Sequence, residues 1–515
     1  MESMSIIQSF YNKKSIFITG GTGFMGKVLI EKLLRSCNSL ERIYILLRPK
    51  RGQSVDDRLN DIFKLPLFDH IKKVNPNAFN KLVSLTGDVT KENLGLDHEQ
   101  VQVLHNEVHI VFHCAATLKL ESNLKDAISM NTIGTRNVLS IARNMKNLQC
   151  FIHLSTAFCH VDQKELTESI CCISDNPHDV AKLVQWLDCE SLNSITTKII
   201  QPHPNTYTYS KRLAEKLIAD EFPKLPCAVA RPSIVTPAWS EPLPGWVDNL
   251  NGPVGLIVGA GKGVIRSMHC NPDFHAEVIP VDLAINALIA IAYKTGTTSR
   301  SDEIPVYNIT QNGVIPITWG EVLQKGKSVA YDYPFEGAIW YPDGDIRGSK
   351  FIHNLFVFFF HIIPAYFIDF IMFLCRQKRF MVRIQKRISD GLDVLQYFTT
   401  REWNFHNTNL LNLWRSMSEQ DRLIFSIDFF NVEEMEYIKN IILGARQYCM
   451  KEKLNTLPRA RRHQNLLYII HVASVYIFYF TVIYAVLTNS KTVRDALNCI
   501  MYAAKSLCNK FYEFP

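Results

Sequence analysis

The chain has 515 residues, of which 47% are apolar and 20% are charged, and its formal net charge is +7. Because a single hydrophobic core rarely reaches this length, we expect two or more domains. The positive excess is small and is not gathered in one block. This disfavours nucleic acid as the natural partner and favours a membrane surface or an anionic ligand.

The 13 cysteines are scattered without a metal-binding spacing. We interpret them as reduced thiols of a protein that faces the cytosol, and we predict no metal site. Residues 1–14 lack an apolar stretch behind a basic start, so the sequence predicts no secretory signal there.

Residues 15–26 predict a strand, a glycine-rich turn and the start of a helix. Apolar residues run into a turn with four glycines, and a periodic apolar segment follows. Glycines allow a tight turn and close approach of a pyrophosphate, and the free N–H groups at a helix N-terminus favour an anion. The pattern therefore predicts a dinucleotide site. Its predicted contacts are Thr19, Gly20, Gly21, Thr22, Gly23, Phe24, Met25 and Gly26.

The next strand ends indicate a phosphorylated dinucleotide. The predicted strand 43–47 is followed by Arg48, where a basic residue accommodates a ribose 2′-phosphate and an acidic one would bond the free hydroxyl of NAD. Arg48 therefore predicts NADP(H), with Arg51 as a second candidate. Farther along the chain, an acid at a strand end can face the adenine, and small residues let the backbone pass a flat cofactor. The remaining predicted cofactor contacts are Asp88, Ala115, Asn131 and Lys211.

Two hydroxyl residues and a Tyr–Lys pair predict the catalytic centre. Ser155 and Thr156 follow the fifth predicted strand, and Tyr207 and Lys211 lie four residues apart at the start of a predicted helix. Residues at this spacing share a helical face, and a neighbouring ammonium lowers the pKa of a phenol. We therefore predict that Tyr207 transfers a proton, that Lys211 tunes it, and that a strand-end hydroxyl bonds the substrate oxygen.

The glycine turn together with Tyr207 and Lys211 resembles the pattern of extended short-chain dehydrogenases/reductases. In detail the chain resembles one branch of them, the alcohol-forming fatty acyl-CoA reductases. The stretches that carry this resemblance are residues 23–27 (GFMGK), 47–50 (LRPK), 207–211 (YTYSK), 231–235 (RPSIV), 244–249 (PGWVDN), 258–266 (VGAGKGVIR) and 279–282 (IPVD). The resemblance implies an α/β fold with a Rossmann-type, doubly wound parallel sheet, followed by a mainly helical C-terminal domain of the male-sterility type.

The resemblance also implies a reaction. NADPH would reduce a long-chain fatty acyl-CoA to a fatty alcohol in two hydride transfers through an aldehyde, with release of coenzyme A. Thr156 is the closer match to the family's strand-end hydroxyl, and Ser155 is the second. Lys262 and Arg266 fit either the coenzyme A phosphates or solvated surface charge.

Two other functions stay open at this point. One is a membrane-bound NADP-dependent dehydrogenase or epimerase acting on a sterol, a sugar or another small carbonyl substrate. The other is a non-catalytic scaffold that binds NADPH.

The stretch after the predicted catalytic helix is less regular. Residues 239–263 are rich in Pro, Gly and Trp and show little periodicity, which predicts a loop region that faces the substrate. Asp282 is a predicted N-cap for a helix over residues 283–293.

Two apolar segments in the second half indicate membrane association. Residues 466–487 contain no Lys, Arg, Asp or Glu and follow a basic cluster, which predicts a transmembrane helix with the catalytic half in the cytosol. Residues 355–375 are also apolar but include Pro364 and Asp369. We expect this segment to lie in the interface, to re-enter the membrane or to line the acyl pocket rather than to span.

The predicted organisation in chain order is an N-terminal lead (1–14), an NADP-binding Rossmann catalytic domain (15–285), the remainder of the substrate domain (286–352), a helical C-terminal domain (353–455), the transmembrane helix (466–487) and a tail (488–515). We expect acyl-CoA and a lipid bilayer as partners. The expected location is the endoplasmic reticulum membrane, with the peroxisomal membrane as the alternative.

Overall fold

The computed structural model describes residues 5–49, 52–171, 173–299, 302–312, 314, 317–489, 495, 500 and 501. Arg51, which was predicted to contact the cofactor, lies outside the described residues, as does almost all of the tail 488–515.

Seven strands form the central sheet: β1 Ser15–Thr19, β2 Ile43–Leu47, β3 Leu82–Thr86, β4 Val108–His113, β5 Cys150–Leu154, β6 Cys227–Pro232 and β7 Val306–Ile309. Their order across the sheet is β3-β2-β1-β4-β5-β6-β7, and every neighbouring pair is parallel. Because the strand order runs outward in both directions from β1, the sheet is doubly wound, which confirms the expected fold. Ligands of such sheets bind outside the carboxyl ends of the strands, near the point where the order reverses.

Helices cover both faces of the sheet, which explains why its central strands are largely apolar. All residues of β1 and β2 are buried. Phe24–Ser36 and Val281–Thr297 pack on one face, and Gly134–Ala142 and Thr206–Glu221 pack on the other. The result is a three-layer arrangement of helices, sheet and helices.

The C-terminal part wraps around this body. Thr408–Ser416 and the N-terminal helix Ile6–Tyr11 both pack on Val281–Thr297, and Thr408–Ser416 also contacts the edge strand β7. Residues 281–292 are therefore buried without interruption. The two halves of the chain thus share one core.

The α-helices span Ile6–Tyr11, Phe24–Ser36, Val55–Phe63, Asp69–Val74, His98–Glu107, Leu124–Ala127, Gly134–Ala142, Pro177–Trp186, Cys189–Ile199, Thr206–Glu221, Pro253–Gly261, Val281–Thr297, Trp319–Asp332, Lys350–Val357, Ile363–Leu374, Met381–Thr399, Thr408–Ser416, Glu419–Ile424, Glu434–Gly444 and Leu457–Asn489. π-Helical turns span Ile128–Ile133, Phe358–Ile362 and Ala445–Cys449. Short 3₁₀ helices span Pro66–Phe68, Pro76–Lys81, Glu92–Gly95, Ala157–His160 and Leu454–Thr456. Minor strands span Glu165–Leu166, Ile234–Thr236, Ser267–His269, Val278–Pro280, Asp345–Arg347 and Asn404–Phe405.

The region after the catalytic helix differs from the prediction in two ways. Residues 239–263 are not loop throughout, because they contain the helix Pro253–Gly261. The prediction that Asp282 is an N-cap is wrong, since the helix already begins at Val281 without a side-chain cap. The Asp282 carboxylate instead accepts hydrogen bonds from the backbone N–H groups of residues 239–241 at 2.9, 2.8 and 3.1 Å, and so holds the preceding loop.

The apolar segment predicted at 355–375 forms the first arm of a helical hairpin. The arm is one continuous helical stretch, Lys350–Leu374, with a π-helical turn inside it. After a short turn, Met381–Thr399 returns antiparallel along it. Asp369 closes the hairpin, because its carboxylate accepts hydrogen bonds from the N–H groups of residues 380–382 at 2.9 to 3.1 Å. This carboxylate therefore caps the second arm.

The helix predicted at 466–487 is longer than expected and spans Leu457–Asn489. Its first part packs on the body, where Leu467 is buried and His471 accepts a hydrogen bond from the Trp340 indole at 3.3 Å. The apolar stretch free of protein contact therefore starts after His471. This helix and Lys350–Leu374 are long and apolar enough to cross a membrane, which is weak evidence for membrane association.

Candidate active site

The glycine turn between β1 and Phe24–Ser36 has room only for glycine at two positions. A Cβ at Gly20 would lie 2.7 Å from the backbone of residues 114–115, and a Cβ at Gly26 would lie 2.3 Å from the Gly20 carbonyl oxygen. Gly23 precedes the helix without giving it a side-chain cap. The first N–H groups of the helix therefore remain for an anion such as a pyrophosphate.

The Thr19 side chain points into the fold and braces this turn. Its hydroxyl lies 2.7 Å from His113 Nδ1 and accepts a hydrogen bond from the Ala115 N–H at 3.3 Å. His113 Nε2 lies 2.9 Å from the Thr135 hydroxyl. Burial lowers the pKa of His113 to about 3, so the ring is neutral. Thr19 and His113 thus fix the end of β4 against the glycine turn.

A polar cavity of about 430 Å³ lies at the carboxyl ends of β2 and β3. Arg48, Arg58 and Lys91 line it together with Asp88, and Arg58 donates a hydrogen bond to the Arg48 carbonyl oxygen. Three cations around one opening favour a phosphate there. The Asp88 carboxylate accepts hydrogen bonds from the N–H and the hydroxyl of Thr90, both at 2.9 Å. These bonds fix the Asp88 side chain at the edge of this cavity.

The cleft continues along the sheet edge toward β5. A second cavity, of about 630 Å³, shares Arg48 and reaches Ala116 and Thr117. Asn131, predicted to contact the cofactor, lies behind this wall and is fully buried. Its amide accepts from the Thr117 N–H at 2.8 Å and donates to the Ser210 hydroxyl at 2.9 Å. Asn131 therefore ties the cleft wall to the catalytic helix.

The structure brings the four predicted catalytic residues to one cavity. Ser155, Thr156, Tyr207 and Lys211 all line a cavity of about 360 Å³ that begins where the cofactor cleft ends. The strand-end hydroxyls come from β5, and the Tyr–Lys pair comes from Thr206–Glu221. Thr156 and Tyr207 form a hydrogen bond with each other, so their two hydroxyls can reach one substrate oxygen, as a carbonyl reductase requires.

Burial is the main influence on the protonation of this centre. Lys211 Nζ donates a hydrogen bond to the Leu154 carbonyl oxygen at 2.6 Å, and burial lowers its pKa to about 8. Burial raises the pKa of Tyr207, and a hydrogen bond with Thr156 offsets this only in part. The effect of Lys211 on this phenol stays a prediction. A neutral Tyr207 is suited to donate a proton to an alkoxide.

Two further polar residues in the cavity were missed by the sequence reasoning. Ser233 follows β6 just as Ser155 follows β5. Glu277 lies beside the minor strand Ile234–Thr236, where its carbonyl oxygen accepts a hydrogen bond from the Ile234 N–H. Both serine hydroxyls and Glu277 Oε2 are buried with no hydrogen-bond partner in the described part of the chain. The strand-end argument applied to Ser155 would also have found Ser233, whereas no local pattern marks Glu277.

Behind the cavity lies a buried cluster around Glu215, one turn after Lys211. Cys159 Sγ and His160 Nε2 lie 3.1 and 3.0 Å from its carboxylate, a grouping that could hold a metal ion. Arg231 already supplies the positive charge, with Nε and one terminal nitrogen 2.9 and 2.7 Å from the two carboxylate oxygens. Burial raises the pKa of Glu215, but the Arg231 charge outweighs it and holds that pKa well below its usual range. The cluster is therefore an ion-pair support for the catalytic helix.

Beyond Tyr207 the cavity walls are largely apolar and come from both halves of the chain. Val247 and Leu256 contribute from the region predicted to face the substrate, Leu395 and Phe398 contribute from the helix Met381–Thr399, and Trp403 contributes from the loop after it. The walls suit an alkyl chain, and catalysis in this cavity needs both halves in place.

Lys262 and Arg266 lie away from the cavity and have carboxylate partners. Lys262 Nζ is 3.1 Å from Glu452 Oε1, and Arg266 forms a two-pronged pair with Asp343 at 2.8 and 2.5 Å. A role for these two residues toward coenzyme A stays a prediction that these contacts do not support.

A doubly wound sheet, a glycine turn open to a pyrophosphate and a Tyr–Lys pair beside strand-end hydroxyls define a nicotinamide-dependent reductase of the extended short-chain type. Two family models, each described as "Male sterility protein", match residues 18–288, as an NAD-binding domain, and residues 360–452. The chain is 34% identical over 511 residues to fatty acyl-CoA reductase 1 of Mus musculus, and 35% identical over 511 residues to fatty acyl-CoA reductase 2 of Mus musculus. Each alignment covers 99% of this chain and 98% of the relative. The chain therefore belongs to the fatty acyl-CoA reductase family.

Solved structures with the same fold are reductase domains. The terminal R domain of the myxalamid biosynthetic pathway matches with a TM-score of 0.55 and 18% identity, covering 84% of this chain and 90% of that one. The R domain of a non-ribosomal peptide synthetase from Mycobacterium tuberculosis matches with a TM-score of 0.55 and 14% identity, covering 88% and 96%. At these identities the likeness establishes the fold.

Proposed function

We propose that this protein reduces a long-chain fatty acyl-CoA to the fatty alcohol and releases coenzyme A, with NADPH as the electron donor. The observation that carries the proposal is the single cavity in which Tyr207, Lys211 and Thr156 meet apolar walls from both halves of the chain. A thioester placed there has its carbonyl at the hydroxyl groups and its alkyl chain against apolar wall residues such as Val247 and Leu256. The relatives' names supply the acyl-CoA substrate class.

The residues of the cleft fit NADP(H). The glycine turn would receive the pyrophosphate, because a Cβ at Gly20 or Gly26 would clash with the backbone there. Arg48 and Arg58 would meet the 2′-phosphate at the ends of β2 and β3. Lys211 would bond the nicotinamide ribose. When bound, the reduced nicotinamide supplies hydride.

Two hydroxyl groups of the protein then stabilise the developing charge and supply the proton. The hydroxyls of Thr156 and Tyr207 hydrogen-bond the thioester carbonyl oxygen and stabilise the negative charge that develops on it. The neutral Tyr207 phenol donates its proton to that oxygen. The hemithioacetal loses its C–S bond, which gives an aldehyde and the coenzyme A thiol. The same two hydroxyls act again as the aldehyde carbon accepts a second hydride and its oxygen a proton.

We infer that the protein acts at a membrane with its catalytic half in the cytosol. Leu457–Asn489 carries the basic cluster Arg459, Arg461 and Arg462 near its start and an exposed apolar stretch after His471. Basic residues stay on the cytosolic side of a span, and the body lies on that side of the helix. The endoplasmic reticulum is the expected organelle.

Product analysis by mass tests the proposal. Membranes that contain the protein receive NADPH and a mixed pool of acyl-CoA thioesters. We expect fatty alcohols, one thiol released and two NADPH oxidised for each alcohol, and a much slower reaction with NADH. Oxidation of NADPH with a ketone but never with an acyl-CoA would instead support the dehydrogenase or epimerase.

A further inference from the structure

The cavity that holds Tyr207 has one charged end. His275, Glu277, Arg401 and Glu402 line it there, and we refer to these four residues as the polar rim. Apart from Lys211, they are the ionisable Asp, Glu, Lys, Arg and His residues among the described lining of this cavity. The part of the lining that comes from Leu118 and from the loop region before Pro253–Gly261, which we take as the opposite end, carries no such residue among those described. The two ends therefore suit different parts of a substrate.

Backbone hydrogen bonds place the polar rim relative to the reacting carbonyl. The Ser155 N–H donates to the Ala230 carbonyl oxygen on one side of β6, at 2.8 Å. The chain then leaves β6 through Ser233 and enters the minor strand Ile234–Thr236, where the Ile234 N–H donates to the Glu277 carbonyl oxygen at 3.1 Å. Ser155 and Glu277 therefore both lie beside the short stretch 230–234.

Glu277 has hydrogen-bonding capacity left over. Its Oε2 is buried without a partner among the described residues, and so is the hydroxyl of Ser233, the residue before Ile234 in the chain. Burial raises the pKa of Glu277 to about 7, so at neutral pH its carboxyl group both donates and accepts hydrogen bonds. An alkyl chain would leave these groups unsatisfied, at a cost in binding. The amide groups of a pantetheine arm reach within roughly 10 Å of the thioester sulfur and would satisfy them.

Arg401 provides a cation at the outer side of the polar rim. It is exposed, and its guanidinium lies 3.9 Å from the centre of the Tyr397 ring. It has no ion pair within the described ranges, because the neighbouring Glu402 is taken by His275 Nδ1 at 2.5 Å. Arg401 differs in this respect from Lys262 and Arg266, which each form an ion pair with a carboxylate.

We propose that the polar rim is the coenzyme A subsite: Arg401 binds a phosphate, Glu277 and Ser233 bond the pantetheine amides, and the acyl chain takes the opposite end beside Leu118. The inference rests on the proposed function, because it needs an acyl-CoA as the substrate. It also fixes the direction in which the substrate lies in the cavity.

Three substrates that share one alkyl chain test the assignment in the full-length protein. They are the acyl-CoA, the acyl-pantetheine thioester, which lacks the phosphates, and the free aldehyde. Arg401→Gln should raise the KM for acyl-CoA about five- to tenfold, as expected for loss of a charge-assisted bond to phosphate. Its KM for acyl-pantetheine and for the aldehyde should stay unchanged. Arg415→Gln, an exposed arginine of the same half outside the cavity, is the matched control and should change none of the three.

Glu277→Leu separates the amide contact from the phosphate contact. Leucine fills a similar volume but offers no polar atom, so KM should rise severalfold for acyl-CoA and acyl-pantetheine and stay unchanged for the aldehyde. If this variant does not fold, as judged by loss of NADPH binding, Ser233→Ala takes its place with the same expectation.

Two results would overturn the subsite. An equal rise in KM for all three substrates would place the alkyl chain at the polar rim. Unchanged KM values for acyl-CoA in Arg401→Gln and in Glu277→Leu would place coenzyme A elsewhere. Failure of the proposed function looks different, because the unmodified protein would then release no thiol from any acyl-CoA.

Discussion

Two tyrosines two residues apart on Thr206–Glu221 have different surroundings. Tyr207 lines the cavity beside Thr156, whereas the Tyr209 hydroxyl donates to the Asp175 carboxylate at 2.9 Å outside it. General acid catalysis contributes about 10²- to 10⁴-fold to rate. We therefore expect Tyr207→Phe to lower kcat for acyl-CoA and for aldehyde at least about 100-fold. The phenol acts in both reductions, so both rates should fall.

Tyr209→Phe is the matched control for this measurement. It removes the same atom from the same helix and should leave kcat within about threefold, since a single hydrogen bond contributes about 1 kcal/mol to folding and nothing here to the reaction. NADPH binding by both variants shows that the fold is intact. Similar losses in the two variants would mean that the phenol acts through the helix and not on the substrate.

Arg48 carries the expected preference for NADPH. It lines the cavity at the ends of β2 and β3 together with Arg58 and Lys91. Arg48→Ala should raise the KM for NADPH about tenfold, as expected for one lost charge-assisted phosphate contact, and should leave the KM for NADH nearly unchanged. Arg42→Ala, at the opposite end of β2, should change neither value. An equal rise for both cofactors would assign Arg48 a structural role.

Lys211 should make the stability of the protein depend on pH in the alkaline range. Burial lowers its pKa from 10.5 to about 8. Below pH 8 the folded and unfolded states both carry the proton, and the folded state bears the full cost of the buried charge. Between pH 8 and 10.5 the folded state loses the proton first. The unfolded state then binds more protons, so the free energy of unfolding rises with pH, by up to about 3 kcal/mol.

Thermal unfolding of the protein and of Lys211→Met in detergent checks this sign. The variant lacks the titrating group, so the protein should gain melting temperature relative to Lys211→Met between pH 8 and 10. Parallel curves over that range would contradict a lowered pKa. Both chains share the other buried groups, whose titration therefore cancels in the difference.

The meeting of the four candidate catalytic residues in one cavity could be predicted because local spacing encodes their positions. Tyr207 and Lys211 share a helical face, and Ser155 and Thr156 follow a strand. The sequence alone therefore indicates at which point of the fold each of these residues lies. Arg58 and Glu277 could not be found in this way. Arg58 reaches its site from the helix that follows β2, and Glu277 reaches the cavity from a segment far along the chain, and no residue spacing records either placement.

At the level of whole elements, the sheet was the most predictable part. Strands buried on both faces are continuous apolar runs, and the seven strands follow such runs in the sequence. The helix Pro253–Gly261 was missed, because glycines lower helix propensity and indicate loop. Its glycines allow close packing: a Cβ at Gly259 would lie 2.6 Å from Ile265, and one at Gly261 would lie 2.7 Å from Phe335. Tertiary contact thus overrides local preference in this helix.

The hairpin turn depends on the Asp369 carboxylate. The Asp369 carboxylate accepts hydrogen bonds from the N–H groups at the start of Met381–Thr399, and these groups have no other side-chain cap. We expect Asp369→Ala to loosen the turn and to increase tryptic cleavage at Arg376 and Lys378 severalfold. Asp390→Ala, on the exposed side of the second arm, is the control and should leave the cleavage rate unchanged. Equal rates in both variants would show that packing alone holds the turn.

For the molecule as a whole, the hairpin and the long helix are the parts available to a bilayer. The stretch 472–489 of the long helix is about 27 Å long, close to the thickness of a hydrocarbon core. The first hairpin arm exposes large apolar side chains, among them Phe351, Phe358, Phe359, Phe367, Phe370 and Phe373. The second arm packs along it but carries Arg383, Lys386, Arg387 and Asp390. A crossing by the first arm would draw those charges into hydrocarbon, at a high cost.

The hairpin should therefore lie along the cytosolic surface of the membrane while the long helix crosses it. Cys189 on the catalytic half and Cys375 at the hairpin turn are both exposed, and Cys508 follows the long helix in the sequence. In sealed vesicles with the catalytic half outward, a membrane-impermeant maleimide should modify Cys189 and Cys375 at once. Cys508 should react only after the vesicles are permeabilised, and mass mapping of the labelled peptides distinguishes the three. Protection of Cys375 together with Cys508 would show that the first arm spans. Immediate labelling of all three would show that the long helix does not cross, and membrane contact would then rest on the hairpin alone.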